Sequence, residues 1–161
     1  MALVVQISSF EELQEIFENS GKEYDREKIE AAYRLAEEKH REQKRSSGEP
    51  YIIHPLSVAA ILVGLGMDSE SVMAGLLHVV EDTDCSIEEI QKRFGREVAL
   101  LIDGVTKLGK IPYSSREEQQ AENLRKMLMA MAEDIRVIII KFADRMHNLS
   151  TLEYMSPQKQ R

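Results

Sequence analysis

The sequence is poor in the residues that most sharply restrict a reading. Among 161 residues it has one cysteine, no tryptophan, four prolines and eight glycines. A single thiol, Cys85, excludes an internal disulfide and a cysteine-based zinc site, and fits a reducing compartment. So few glycines and prolines exclude a low-complexity or collagen-like chain. Long hydrophobic runs are missing too. The longest nearly apolar stretches, Val58–Met67 and Val137–Ile140, are too short to span a bilayer. The opening Met1–Leu13 has neither a basic start nor a long apolar centre, so it does not read as a signal peptide. A cytoplasmic protein with no membrane partner is expected. Positive charge is in deficit: 21 Lys and Arg stand against 28 Asp and Glu, a net charge of −7. A broad DNA-binding face needs clustered cations and is not expected. A local basic pocket for one small phosphorylated ligand is compatible with this balance.

What is present is a globular mix, 43% hydrophobic and 30% charged, of a length suited to one domain over residues 1–161. Apolar spacings of three and four residues predict helices almost throughout. Ser9-Phe10-Glu11-Glu12 reads as a capping box opening a first helix with Leu13, Ile16 and Phe17 on one face. Asp25 caps a second, expected to run to about Gln43 with Ile29, Ala32, Leu35 and Ala36 inward. Arg45–Pro50 reads as a loop. Pro55 suits the first position of a third helix, which Gly66 ends. A fourth starts near Asp68 or Ser69 and carries Val72, Met73, Leu76, Leu77 and Val80.

Ser86-Ile87-Glu88-Glu89 is a second capping box, opening a fifth helix that Gly95 closes. A sixth helix is expected from Arg96 to about Leu108, a loop over Gly109–Ser114, and a seventh helix from Ser115 to Ala132. Asp134 caps the last. Its Val137-Ile138-Ile139-Ile140 run could be a buried strand, but the helical spacing continues through Leu149 and favours helix. The expected fold class is all-α, a single-domain bundle of about eight helices.

Polar residues break the apolar helices at three places. His54 stands at a helix start before Pro55. His78 lies in an apolar stretch and is followed by Glu81 and Asp82. Near the C-terminus an apolar helix carries Lys141, Asp144, Arg145, His147 and Asn148, with Asp144 and Asn148 on one face at four-residue spacing. Histidines with carboxylates and no thiols form a donor set suited to Mn²⁺, Fe²⁺ or Zn²⁺. A metal held this way can activate water and orient a phosphate, with Glu81 and Asp82 as acid, base or water-positioning groups. Singly, each element has an ordinary reading: a hydrogen-bonded core histidine, a solvated helix end at Glu81-Asp82, an exposed ion pair at Asp144-Arg145. His40 and His147 are read as ordinary core or surface residues, and Met127, Met129 and Met131 as packing surface.

Jointly, the segments resemble one family. Arg45-Ser46-Ser47-Gly48-Glu49-Pro50-Tyr51-Ile52-Ile53-His54-Pro55 resembles the opening metal-ligand motif of the RelA/SpoT-type alarmone hydrolases. Gly75-Leu76-Leu77-His78 with Glu81-Asp82-Thr83 is similar to that family's HD signature. Asp103–Ile111 and Glu117–Met127 resemble its bifunctional long form, and Lys141–Leu149 resembles its last ligand motif. The similarity runs from about residue 22 to the end. It implies an HD-type, Mn²⁺-dependent phosphohydrolase that removes pyrophosphate from the ribose 3′ position of ppGpp or pppGpp, giving GDP or GTP. It implies metal ligands at His54, His78 and Asp144, and a catalytic acidic pair at Glu81 and Asp82. Arg45 would lie against the guanine, with Asn148 and Thr151 lining the nucleoside site. It also implies a C-terminal synthetase domain in a longer protein, of which this chain would be an N-terminal piece.

The chain departs from that family at one residue. The family pattern is His-Asp-x-x-Glu-Asp-Thr, whereas here the run is His78-Val79-Val80-Glu81-Asp82-Thr83. The Asp after the His is absent and the His-to-Glu spacing is one shorter, as in a deletion. On a continuous helix this would rotate Glu81 by about 100°. Three outcomes stay open: metal binding is lost or much weakened and the domain is catalytically impaired; Asp82 or a water replaces the missing ligand and some activity survives; or a bulge restores the acidic pair but not the ligand. The alternative function is a catalytically impaired, guanine-nucleotide-binding domain that regulates the synthetase. A smaller departure is Ser150, where the family often has Arg.

Overall fold

The computed structural model describes residues 6–41, 50–80, 85–109, 120–122, 124–125 and 134–150. Seven helices are bounded among them: α1 Phe10–Ser20, α2 Arg26–Lys39, α3 Ile53–Gly64, α4 Ser69–Leu77, α5 Ile87–Phe94, α6 Arg96–Gly109 and α7 Arg136–Ser150. Residues 120–122, 124 and 125 are helical as well, inside the expected seventh helix. No strand occurs among the described residues, so the all-α expectation holds, and Val137–Ile140 lie in α7.

Four helices begin where the sequence places a capping side chain. Ser9 accepts from Glu12 N–H, Asp25 from Lys28, Asp68 from Ser71 and Ser86 from Glu89, each satisfying a donor the helix leaves unpaired. Asp134 takes the backbone N–H of Arg136 at the start of α7. The α3 exit is a Schellman turn. Gly66 adopts φ +78°, Met67 N–H bonds Leu62 C=O at 3.0 Å, and Gly66 N–H bonds Val63 C=O at 3.0 Å.

The centre of the bundle is α3, buried from Ile53 to Val63. A helix apolar on every side has to be wrapped by others, and α3 packs against α1, α4 and α7. Around it, α4 also touches α2, α6 and α7, and α6 touches α5 and α7. Two crossings need glycine for close approach. A Cβ on Gly75 would sit 2.6 Å from Leu62 Cδ1 where α4 meets α3, and one on Gly104 would sit 2.8 Å from Val137 Cγ2 where α6 meets α7. No described helix is long and apolar enough to cross a membrane.

Three boundaries differ from the sequence reading. Within the described residues α2 ends at Lys39, not at about Gln43, with His40 N–H closing on Ala36 C=O. Helix α3 starts at Ile53, so Pro55 is its third residue rather than its first; its missing N–H is still one of the four that a helix leaves unpaired. Helix α4 stops at Leu77 and does not reach Val80.

Candidate metal centre

Three helices deliver one side chain each to a common point. His54 comes from the first turn of α3, His78 from the C-terminal cap of α4, and Asp144 from the middle of α7. His54 Nε2 lies 2.6 Å from Asp144 Oδ1, and His78 Nε2 lies 3.0 Å from the same oxygen. One donor atom from each of the three residues falls within 4.8 Å of the others. The two imidazoles meet edge-on, 5.7 Å between centroids at 66°.

The cluster is screened from solvent. His54 is 2% exposed and Asp144 is 7% exposed. Burial by itself would push the Asp144 carboxyl up. Hydrogen bonds from His54 and His78, with their charge, outweigh it and hold Asp144 well below the usual carboxylate range. The other carboxylate oxygen, Oδ2, faces Lys141 Nζ at 3.6 Å. A buried anion with two histidines on one oxygen demands compensation, by protons or by a cation.

The donor set fits a divalent metal. His78 Nδ1 lies 2.7 Å from Gly75 C=O, an atom that can only accept, so Nδ1 carries a proton and Nε2 is left to face Asp144. Two imidazole nitrogens and a carboxylate, without thiols, suit Mn²⁺, Fe²⁺ or Zn²⁺.

The other sequence-singled residues fare differently. Glu81, Asp82, Arg45 and Thr151 lie outside the described residues. Asn148 is half-buried on α7, one turn beyond Asp144. His147, read from sequence as an ordinary residue, belongs to the site's surroundings: it is fully buried and its Nδ1 lies 2.8 Å from His54 Nδ1. The signal was its spacing, since residues three apart share a helix face and Asp144 precedes it by three.

The rotation expected for Glu81 does not apply as stated. It assumed a helix continuous through His78, whereas His78 closes α4 and Val79 and Val80 lie beyond it, both buried.

Residues 32–161 match the family described as HD domain. A probable guanosine-3′,5′-bis(diphosphate) 3′-pyrophosphohydrolase of Synechocystis is 56% identical over 131 residues, 81% of this chain and 17% of that protein. The bifunctional (p)ppGpp synthase/hydrolase SpoT of Escherichia coli K12 is 47% identical over 153 residues, 94% of this chain and 22% of that protein. The chain thus spans about a fifth of these curated relatives' length. A solved structure described as a metazoan ortholog of SpoT that hydrolyses ppGpp superposes with a TM-score of 0.69 at 29% identity, over 86% of this chain and 80% of the other. The helical architecture, the converging His54, His78 and Asp144, and the match over most of its length say that the chain belongs to the HD domain family.

Proposed function

We propose that this chain is the hydrolase domain of a longer cytoplasmic alarmone enzyme, one that splits the 3′-pyrophosphate from ppGpp or pppGpp with Mn²⁺ as cofactor. The observation that carries the reading is the convergence of His54, His78 and Asp144, in a chain similar to proteins named for that reaction. His54, His78 and Asp144 would hold the ion. Mn²⁺ would offset the charge of the diphosphate and lower the pKa of an attacking water.

The chain's own residues supply the rest. Glu81 and Asp82, three and four residues after His78, would take the proton from that water and return one to the departing group. Arg45 would stack on the guanine plane, a surface its flat guanidinium suits. Asn148, with both a donor and an acceptor, and Thr151 would grip the nucleoside. Burial of His54 and Asp144 keeps bulk water from competing for the same atoms. In the full-length protein a synthetase domain would follow.

A second reading has its own observation. The residue after His78 is Val79, apolar and buried, where the family supplies a fourth ligand. On that reading the domain binds guanine nucleotide and regulates the synthetase without turnover. Three protein ligands with water still make a catalytic site, so turnover with reduced Mn²⁺ affinity is the expectation. The test is pyrophosphate release from ppGpp across a Mn²⁺ titration, beside a variant with Asp inserted after His78. Turnover by both, with the insertion half-saturated at lower Mn²⁺, supports the proposal. Turnover by the insertion alone moves the chain to the regulatory reading. No release by either folded protein overturns the hydrolase assignment.

A further inference from the structure

We propose that Gln6 and His147 are positioning residues that hold a proton on the outer nitrogen of His54, Nδ1, and so leave its Nε2 to a cation; the proposal rests on the cation reading of His54, His78 and Asp144. Hydrogen-bond direction carries it. His147 Nε2 lies 3.2 Å from Gln6 Oε1. A carbonyl oxygen only accepts, so Nε2 of His147 holds the proton and its Nδ1 is the acceptor. That Nδ1 lies 2.8 Å from His54 Nδ1, which must therefore donate. The His54 proton is committed away from the site. Its Nε2, 2.6 Å from Asp144 Oδ1, faces the carboxylate across a proton in the metal-free protein, the place a cation would take.

His78 reaches the same state by a shorter route, donating from Nδ1 to the Gly75 carbonyl. A backbone carbonyl cannot reverse its role, so one ring is fixed by α4 itself. The other ring is fixed at a distance, by a side chain outside the helices. Both routes keep the Nδ1 proton out of the site and leave each Nε2 facing one carboxylate oxygen, where a cation would replace the proton that the metal-free ring donates. Metal-bound histidines are commonly oriented by an acceptor on the outer nitrogen, and loss of such a partner typically weakens metal binding about 10–100-fold.

Two features keep this relay in place. Ser57, one turn after His54 on α3, clamps the backbone of Ile7: its hydroxyl accepts from Ile7 N–H at 3.1 Å and lies 3.3 Å from Ile7 C=O, to which it donates. Ile7 adjoins Gln6, so the segment ahead of α1 is tied to the helix whose histidine it orients. His147 is fully buried, and an imidazole is costly in a core unless its nitrogens are hydrogen-bonded. Helix α7 thus delivers both Asp144 and, three residues later, the acceptor that aims His54 at it.

The competing arrangement turns the Gln6 amide nitrogen toward His147 and reverses both bonds, placing the His54 proton on Nε2. Gln6→Glu separates the two, because a carboxylate only accepts and keeps the proposed direction. Gln6→Met removes the acceptor from a surface position, and His147→Leu removes the relay. Mn²⁺ affinity would be measured by calorimetry and the His54 tautomer by long-range ¹H–¹⁵N spectra of the metal-free protein, with melting in chelator as the check on folding. The expected result is a His54 proton on Nδ1 in the parent and Gln6→Glu, loss of that state in Gln6→Met and His147→Leu, and about 10–100-fold weaker Mn²⁺ binding by His147→Leu. A parent His54 without a proton on Nδ1, or folded variants with parental Nδ1 protonation and affinity, overturns the proposal. If the parent binds no Mn²⁺ the cation reading falls, and the tautomer pattern alone decides for or against the relay.

Discussion

Gly104→Ala tests whether the crossing of α6 and α7 sets the position of Asp144. In an open helix the change would be favourable, because alanine exceeds glycine in helix propensity by about 1 kcal/mol. Here the added Cβ would stand 2.8 Å from Val137 Cγ2, 3.2 Å from Cγ1 and 3.6 Å from Cβ. Valine in a helix is held in essentially one rotamer, so neither methyl can turn away and the helices must separate. Overpacking of this kind costs about 1–3 kcal/mol. Less the propensity gain, about 1 kcal/mol of net destabilisation remains, a fall of about 2–4 °C in Tm for a chain of this size. Asp144 lies seven residues along α7 from Val137, so the shift reaches the site, and Mn²⁺ affinity should fall with Tm. Thermal melting and calorimetry measure both. In a Val137→Ala background the penalty should vanish or reverse, because the obstructing methyls are gone. A raised Tm for Gly104→Ala, or an equal penalty in both backgrounds, refutes the reasoning. Gly75→Ala should be milder, since its tightest contact is Leu62 Cδ1, the far end of a side chain with more freedom.

Two further predictions concern charge and the lone thiol. Arg136 bridges three elements, with Nη1 2.6 Å from Asp68 Oδ2 at the α4 cap and Nη2 2.6 Å from both Glu97 Oε1 in α6 and Asp134 Oδ2 ahead of α7. Arg136→Met should cost about 1–3 kcal/mol in urea unfolding, as charged hydrogen bonds are lost. Burial raises and the Ser71 and Arg136 bonds lower the Asp68 carboxyl, while the Arg136 bonds lower Asp134; both end below the ordinary value. A depressed folded-state carboxyl stabilises above its unfolded pKa of about 3.9 and loses that contribution as pH falls below it. The parent's Tm should therefore drop on acidification through that range, and Arg136→Met should flatten the drop; equal slopes would count against the bridge. Burial and a hydrogen bond to Glu89 push the Cys85 thiol up to about 11, so the folded chain should resist alkylation at pH 8 and react on unfolding, whereas rapid native-state alkylation would contradict its placement.

Helix starts were legible because capping is local. Ser9, Asp25, Asp68 and Ser86 each bond a backbone N–H three residues on, a pattern carried wholly by sequence. Helix ends were less legible when no glycine marked them. Gly66 and Gly95, with positive φ, lie at the ends expected of them. Past Leu77 the apolar pattern continues through Val79 and Val80, and both are buried although the helix has stopped. Periodicity reports burial, and a buried residue in a turn (Val79) or a 3₁₀ turn (Val80) gives the same signal as an α-helix face. At the site, His54, His78 and Asp144 were found because polar groups interrupt apolar stretches. His147 was overlooked because its three-residue spacing from Asp144 places it only on the same helix face, while its contact is with His54, 93 residues away in sequence.

The end of α4 at His78 also changes what the missing Asp costs. Within a helix, losing one residue would turn every later side chain by about 100°. Here the shortened run begins at the residue that closes the helix, so the rotation argument does not extend past His78. On the proposed ligand set, what is lost is one carboxylate. Two histidines with Asp144 would offer a divalent cation one negative charge, where the motif this sequence resembles would offer two. A site with less charge binds its cation more weakly, yet leaves more positive charge on the bound ion to attract the diphosphate oxygens of a substrate. On that balance the expected signature of the Asp insertion is a lower Mn²⁺ requirement, with a turnover gain at saturating Mn²⁺ that is smaller than the gain in affinity.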